Sequence, residues 1–187
     1  MKLKKIVQIN VGQNISRLKE DQSNYLAIYT NEDLIGDLQE SLKNLRIKAE
    51  KRSPQKDKYQ LGQGDILYSF VSSKAGIVSN KNAGKLFNQN FAKLTLLSDE
   101  IDSEYICYIL NESVSIKRQM SILMQGSVIP KLTPAILREI DIKLPNKDIQ
   151  SIIGTSYFNF NRYQYLTELE IDLNRKIYLE ILKKLDV

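Results

Sequence analysis

The sequence predicts an α+β fold: a globular domain of mixed strands and helices, followed by one long C-terminal coiled-coil helix. Three observations carry this prediction. Short strand-like runs alternate with helical patterns as far as Pro145, the strand-like Ile140-Asp141-Ile142-Lys143-Leu144-Pro145 closes that region, and no Pro or Gly follows Gly154. The expected division is a domain at 1–145 and a helix at 146–187, and a helix that outreaches its own domain must find its apolar partner elsewhere.

Taken in order, Lys5 to Asn10 reads as a first strand, with Val11-Gly12-Gln13-Asn14 as the turn after it, and Tyr25 to Thr30 reads as a second. Asn31-Glu32-Asp33 then caps a helix whose Leu34, Leu38, Leu42 and Leu45 share a face. Gly64-Asp65 introduces a buried strand from Ile66 to Val71. The polar Ser72-Ser73-Lys74-Ala75-Gly76 links it to a strand at Ile77 to Ser79, which together make a hairpin. A turn at Lys81-Asn82-Ala83-Gly84 precedes a strand from Phe91 to Leu97. Asp102 or Ser103 starts a helix through Tyr105, Ile106, Ile109 and Leu110, and helical pattern resumes from Ile116 to Met124. Gln125-Gly126-Ser127 breaks it, Val128 to Leu132 can be extended, and Thr133-Pro134 opens a short helix with Thr at the N-cap and Pro at the first helical position.

The last helix is marked at both ends. Asn146 is a good N-cap, Asp148 places negative charge in the first turn, and Lys183 and Lys184 suit the last. Ile153, Tyr157, Phe160, Tyr163, Leu166, Leu169, Leu173, Ile177 and Ile181 recur at an average of 3.5 residues, the coiled-coil period. A surface helix packed on its own domain would show a similar stripe. From Thr155 onward the helix would extend roughly 45–50 Å at about 1.5 Å per residue.

Composition narrows the function classes. In 187 residues, 42% are hydrophobic, enough for a packed core, while no apolar window is long enough to span a membrane, so a cytoplasmic location is expected. The absence of histidine removes Ser-His-Asp and Cys-His nucleophile systems and histidine metal ligands. The single cysteine, Cys107, reads as a small buried apolar residue. There is no Gly-rich phosphate loop, and carboxylates are scattered without a tight cluster for metals. No catalytic set, metal site or cofactor site on this chain is expected. Charge, in contrast, is concentrated. Lys43, Arg46, Lys48, Lys51, Arg52, Lys56 and Lys58 face only Glu50 and Asp57, so this segment carries the whole formal excess of +5. Such a segment suits a phosphate backbone, and charge alone fits a solvated helix end and polar loop equally well.

This order of motifs resembles one half of the DNA-specificity subunit of type I restriction–modification systems. Leu61-Gly62-Gln63-Gly64-Asp65-Ile66-Leu67 looks like that family's Gly-Asp-Ile-Leu strand. Similar too are Gln125-Gly126-Ser127 through Leu137, Ile140-Asp141-Ile142, Pro145 to Gln150, and the opening Leu3-Lys4-Lys5-Ile6 with Gly12. The resemblance covers nearly the whole chain. It implies a target-recognition domain and a helical spacer, with double-stranded DNA and methyltransferase subunits as partners and the restriction subunit engaged indirectly. It also implies a non-catalytic role, with S-adenosylmethionine bound by a partner subunit, since this chain has no Asn/Asp-Pro-Pro-Tyr motif. Family members usually carry two such units with antiparallel spacers; one unit here implies an antiparallel homodimer, an accessory half-subunit or an isolated cassette.

Within that reading, Lys51, Arg52, Lys56 and Lys58 are the phosphate candidates. Residues with amide, hydroxyl or cationic tips in turns, namely Ser72, Ser73, Lys74, Asn80, Lys81, Asn82, Gln125 and Ser127, are the base-edge candidates. Tyr68 is assigned to the core, and Gly62, Gly64, Gly84 and Gly126 to turns. Two other classes compete: an assembly adaptor that does not bind DNA, and a metal-dependent nuclease built on scattered carboxylates.

Overall fold

The computed structural model describes residues 1–14, 27–46, 58–125 and 132–186. At its centre lies a four-stranded antiparallel sheet of β1 (Val7–Val11), β2 (Ile66–Ser69), β3 (Lys74–Ile77) and β4 (Phe91–Leu96), in the spatial order β1-β4-β2-β3. Among the described residues, six α-helices accompany it: α1 (Asn31–Leu38), α2 (Leu42–Leu45), α3 (Ser103–Glu112), α4 (Val114–Met124), α5 (Pro134–Glu139) and α6 (Lys147–Leu185).

The central strand β2 is buried at all four positions, which requires cover on both faces of the sheet. Successive side chains alternate between those faces. Ile66 and Tyr68 enter a large core with Val7, Ile9, Ala92, Leu94, Ile106, Leu110 and Phe158, whereas Leu67 enters a smaller one with Tyr29, Leu34, Val78, Phe87 and Phe91. Tyr68 is thus a core residue, and burial pushes its hydroxyl pKa up to about 12. Cys107 is likewise fully buried.

Several boundaries differ from expectation for local reasons. The first strand starts at Val7 because Leu3–Lys5 curls into a 3-10 turn that buries Leu3. Of Tyr25 to Thr30, the described residues 27–30 make a single bridge, Ile28 to Leu86, and form no strand. The helix cap is Thr30: its hydroxyl accepts from the Asp33 N–H, and the Asp33 carboxylate accepts from the Thr30 N–H. Leu34 to Leu45 do not share one helix, because the chain breaks at Gln39 to Ser41 and restarts as the one-turn α2. Ile140 to Leu144 is not a strand. Its alternation is real, with Ile140 and Ile142 buried, but its neighbour is the curled N-terminal turn, so pairing stops at one bridge from Lys2 to Asp141. Residues 128–131 of the expected extended run lie outside the described residues.

A hairpin is present but tighter than expected: β2 ends at Ser69, β3 takes up Lys74 to Ile77 from the expected linker, Val78 and Ser79 lie beyond it, and the strands pair from Ile66–Ile77 to Ser69–Lys74 around the tip Phe70 to Ser73. Gly64 and Gly84 hold positive φ values of 85° and 90°, which glycine adopts at little cost, in turns at the ends of β2 and before β4. The N-cap Asn146 accepts from the Ile149 N–H, and α6 then runs unbroken for 39 residues. Among the described residues, no helix is long and apolar enough to cross a membrane.

Candidate functional site

Two surfaces correspond to the expected roles, the polar turns around the sheet and the exposed part of α6. Among the phosphate candidates, Lys51, Arg52 and Lys56 lie outside the described residues; Lys58 is exposed, with its ammonium 5.6 Å from the centre of the Tyr59 ring. Arg46, counted in the basic segment, is not a free cation. Its guanidinium donates to both Glu104 carboxylate oxygens at 2.8 and 3.1 Å, and this pairing raises its pKa.

The base-edge candidates divide between separate places. Ser72 and Ser73 form the exposed tip of the β2–β3 hairpin, where Ser73 holds a positive φ of 54°. Lys74 beside them is ion-paired to Glu112 at 3.3 Å, and Glu112 also holds Lys117. Asn80 and Lys81 are exposed in a 3-10 turn beyond the opposite end of β3, so the structure does not gather them with the hairpin tip. Asn82 is a correction: it is 3% exposed, and its amide donates to Asp37 at 2.8 Å, so it is a structural residue and does not reach the surface. Asp37 is itself buried and accepts from the Tyr29 hydroxyl at 2.7 Å; loss of solvation holds its carboxyl above the usual carboxylate range despite these bonds. Gln125 is exposed at the C-terminal end of α4, and Ser127 lies outside the described residues.

Sequence reasoning missed the residues that aim α6. Gly154 sits so close to α3 that an added Cβ would lie 2.6 Å from the Tyr105 nitrogen. Beside it, the nearly buried Glu104 accepts from Arg46 and from the Thr155 hydroxyl at 3.0 Å, joining α2, α3 and α6. Gln150, 2% exposed, accepts from the Asp102 N–H and donates to the carbonyls of Glu100 and Pro145. Asn111 exchanges two hydrogen bonds with the backbone of Ala75 on the edge strand β3, and its amide also donates to the Tyr157 hydroxyl. Farther along, Arg162 donates to the Gln39 carbonyl at 3.0 Å. A lone Gly in a helical pattern is the available signal for a close approach; the partners come from distant segments and carry no local signature.

The assembly stripe also divides. Ile153 and Tyr157 pack against the domain's own core, while Phe160, Tyr163, Leu166, Leu169, Leu173, Ile177 and Ile181 are 39–67% exposed. At about 100° of rotation per residue, four consecutive three-residue steps from Tyr157 to Leu169 carry the stripe well over half way round the helix. Leu166, Leu169, Leu173 and Ile177 therefore occupy a different face from Ile153 and Phe160. A second series keeps true helical pitch: Ile149, Ile153, Ser156, Phe160, Tyr163 and Thr167 continue as Ile171, Asn174, Tyr178, Ile181 and Leu185, ten steps across 36 positions without one charged residue. On its proximal flank an open groove of about 630 Å³ runs between α3 and α6, lined by Tyr108, Ile152, Tyr157 and Phe160 among others.

The family model for the type I restriction modification DNA specificity domain matches residues 1–182. Several solved structures share the fold, three of them as follows. The type I restriction-modification S subunit from M. genitalium has 16% identity and a TM-score of 0.57 over 94% of this chain and 42% of its own. The HsdS subunit from Thermoanaerobacter tengcongensis has 21% identity and a TM-score of 0.52 over 89% of this chain and 38% of its own. A third structure, described in terms of complex assembly and conformational transition of the type I restriction–modification system, has 18% identity and a TM-score of 0.58 over 97% and 42%. The chain thus spans about two fifths of the length of these structures. No curated protein sequence matches it.

Proposed function

This chain belongs to the type I restriction–modification DNA specificity family, and from that premise we propose that it is a sequence-specific, non-catalytic DNA-binding subunit or half-subunit that directs methyltransferase and restriction subunits to a two-part target. The observation that carries this reading is the combination of the family match over residues 1–182 with an arm, α6, whose base is fixed rigidly to the domain. A recognition domain held at a set angle to a protruding helix can place its DNA face at a defined distance from a second such domain. S-adenosylmethionine would bind a methyltransferase partner and the complex would work in the cytoplasm.

One small module offers limited contact area, so high affinity requires two domains held together. We place self-association on α6 as an antiparallel homodimer. It would set the two domains at opposite ends of the arm, farther apart than one DNA turn of about 34 Å, and its two-fold symmetry demands a palindromic, bipartite site.

The test is duplex binding by the full chain at several salt concentrations. Affinity should fall steeply with salt, and neutralising Lys51, Arg52, Lys56 and Lys58 together should flatten the log–log slope by about 0.9 for each phosphate the variant no longer neutralises. A wild-type slope near zero would favour the adaptor reading. An unchanged slope in the variant would remove the basic segment from the DNA face.

A further inference from the structure

One end of the central sheet carries a row of amide and hydroxyl side chains. β1 ends there, β2 turns over through Phe70 to Ser73, and β4 begins there after Asn88, Gln89 and Asn90. Residues 8–14, 69–73 and 86–92 contain no charged side chain, although 26% of the chain is charged. Backbone contacts lock the three segments together. The Gly12 N–H donates to the Phe91 carbonyl at 3.0 Å, the Gln89 N–H to the Gln13 carbonyl at 3.0 Å and the Phe70 N–H to the Asn90 carbonyl at 2.8 Å. A Cβ at Gly12 would lie 2.2 Å from the Asn88 carbonyl oxygen, so only glycine lets the end of β1 approach this loop so closely.

We propose that this end of the sheet is the base-reading edge of the DNA face, with Gln13, Gln89 and Asn90 as specificity-determining residues and the Ser72–Ser73 tip beside them. This rests on the DNA-binding reading above and assigns the residues that read sequence within it.

The amide tips are available for a ligand. Gln89 and Asn90 are exposed and Gln13 is half-buried, and among the described residues none of these three side chains makes a hydrogen bond. Asn88 differs: its Oδ1 accepts from the Asn90 N–H at 2.8 Å, which fixes the turn that presents Gln89 and Asn90. Amides that serve the fold are spent inside it, as Asn111 is on the Ala75 backbone and Gln150 on the Glu100 and Pro145 carbonyls. A free amide presents a donor and an acceptor side by side. That pattern pairs with N6 and N7 of adenine in the major groove, and a serine hydroxyl can take either role.

Dimensions and charge fit the same occupant. From β1 across β4 to β2 the edge spans two strand spacings, about 10 Å, against a major groove about 12 Å wide that admits a two-stranded ribbon. A cation stands at this end as well. Gln60 bridges Leu86 in antiparallel sense and the Phe87 N–H donates to the Tyr59 carbonyl at 3.2 Å, so the chain brings the exposed Lys58 level with Asn88. A phosphate contact and base contacts would then come from adjacent residues, the first positioning the duplex and the others reading it. Asn80 and Lys81 lie beyond the opposite end of β3 and stay outside the groove when this edge enters it.

Selection by the full chain from a pool of duplexes with a randomised core tests the assignment. Wild-type protein should enrich a motif. Gln13→Ala, Gln89→Ala and Asn90→Ala, each shown to be folded by circular dichroism, should each lose preference at an A·T position by roughly 10- to 100-fold. Binding to the unselected pool and its salt slope should stay as in wild type, because no phosphate contact is removed. Variants that bind every duplex equally more weakly and keep the wild-type motif would make these residues phosphate contacts or supports of the loop, which overturns the proposal. A motif altered by Asn80→Ala or Lys81→Ala and by none of the three would put the readers at the opposite end of the sheet, overturning the assignment while the DNA-binding reading stands. A wild-type chain that enriches no motif overturns both.

Discussion

Residues Lys147 to Tyr165 and Leu166 to Leu185 belong to one uninterrupted helix, yet their surroundings are opposite. The first half buries Gln150, Gly154 and Phe158 in the domain and is tied by side-chain hydrogen bonds to α3, to Arg46 at the end of α2 and to the end of α1. In the second half every described residue except Thr167 is exposed, including ten large apolar side chains that are 39–75% accessible. About 30 Å of helix therefore projects past Tyr165. The difference shows how a single element serves two purposes: the proximal half fixes a direction, and the distal half offers a surface at a known distance along that direction. An isolated amphipathic helix could supply the surface but could not aim it.

The largest expected effect tests the aiming half. Gly154→Ala places a methyl group 2.6 Å from the Tyr105 backbone nitrogen and 2.7 Å from the Glu104 Cβ. Neither is the free end of a flexible side chain, so α3 and α6 must separate. In an exposed helix the same change stabilises by about 1 kcal/mol. Here urea unfolding should show a loss of about 3 kcal/mol, together with weakened contacts of Glu104 and Gln150. A stabilised variant would mean that the interface yields easily and that α6 is not rigidly aimed.

How much of this is readable from sequence depends on where the information resides. The caps Asn146, Asp102 and Thr133 and the uninterrupted α6 are set by residues within a few positions of one another and appear as expected, and the β2–β3 hairpin forms with its second strand starting three residues earlier than read. Ile140 to Leu144 misleads because alternation reports which side chains are buried and cannot report whether a neighbouring strand exists to pair with. Asn82 misleads because a polar residue in a turn looks the same whether it meets solvent or a buried Asp37. The α6 stripe misleads because an average spacing conceals rotation: threes followed by fours average 3.5 while crossing from one face to another. Glu104, Asn111 and Gln150 give no signal, since apart from the Pro145 carbonyl the partners named above lie 36 to 58 residues away and only folding brings them together.

An intermediate effect is expected where α6 last touches the domain. Arg162 and Tyr165 line a polar recess with Asp33, Glu40 and the buried Asp37. Loss of solvation raises the Asp37 pKa in the folded state, so between its unfolded value of about 3.9 and its higher folded value the native chain binds more protons than the unfolded one. Stability contributed by this group is therefore present at low pH and lost as pH rises through the folded pKa. Asp37→Asn removes that loss, since the Tyr29 hydroxyl can still donate to the amide oxygen. Urea titrations at a series of pH values should show wild type losing stability relative to the variant as pH rises from about 4. Parallel curves would show that Asp37 titrates normally.

The smallest effect belongs to the projecting half. Its ion pairs are Lys176 with Asp172 at 2.6 Å and Lys183 with Glu180 at 2.7 Å, both solvent-exposed and both within the helix. Pairs of this kind are worth about 0.2–0.5 kcal/mol and are screened by salt. Lys176→Ala should therefore lower stability by no more than about 0.5 kcal/mol, and alanine's own helix preference offsets part of that. Domain unfolding and the sedimentation of the dimer should be unchanged if the uncharged stripe is the pairing face, because Lys176 projects away from it. If Lys176→Ala instead shifts the oligomeric state, the pairing face includes Leu169, Leu173 and Ile177, which share its side of the helix. The contrast between an aiming half and an assembling half would then hold, with the assembling face moved roughly half a turn around α6.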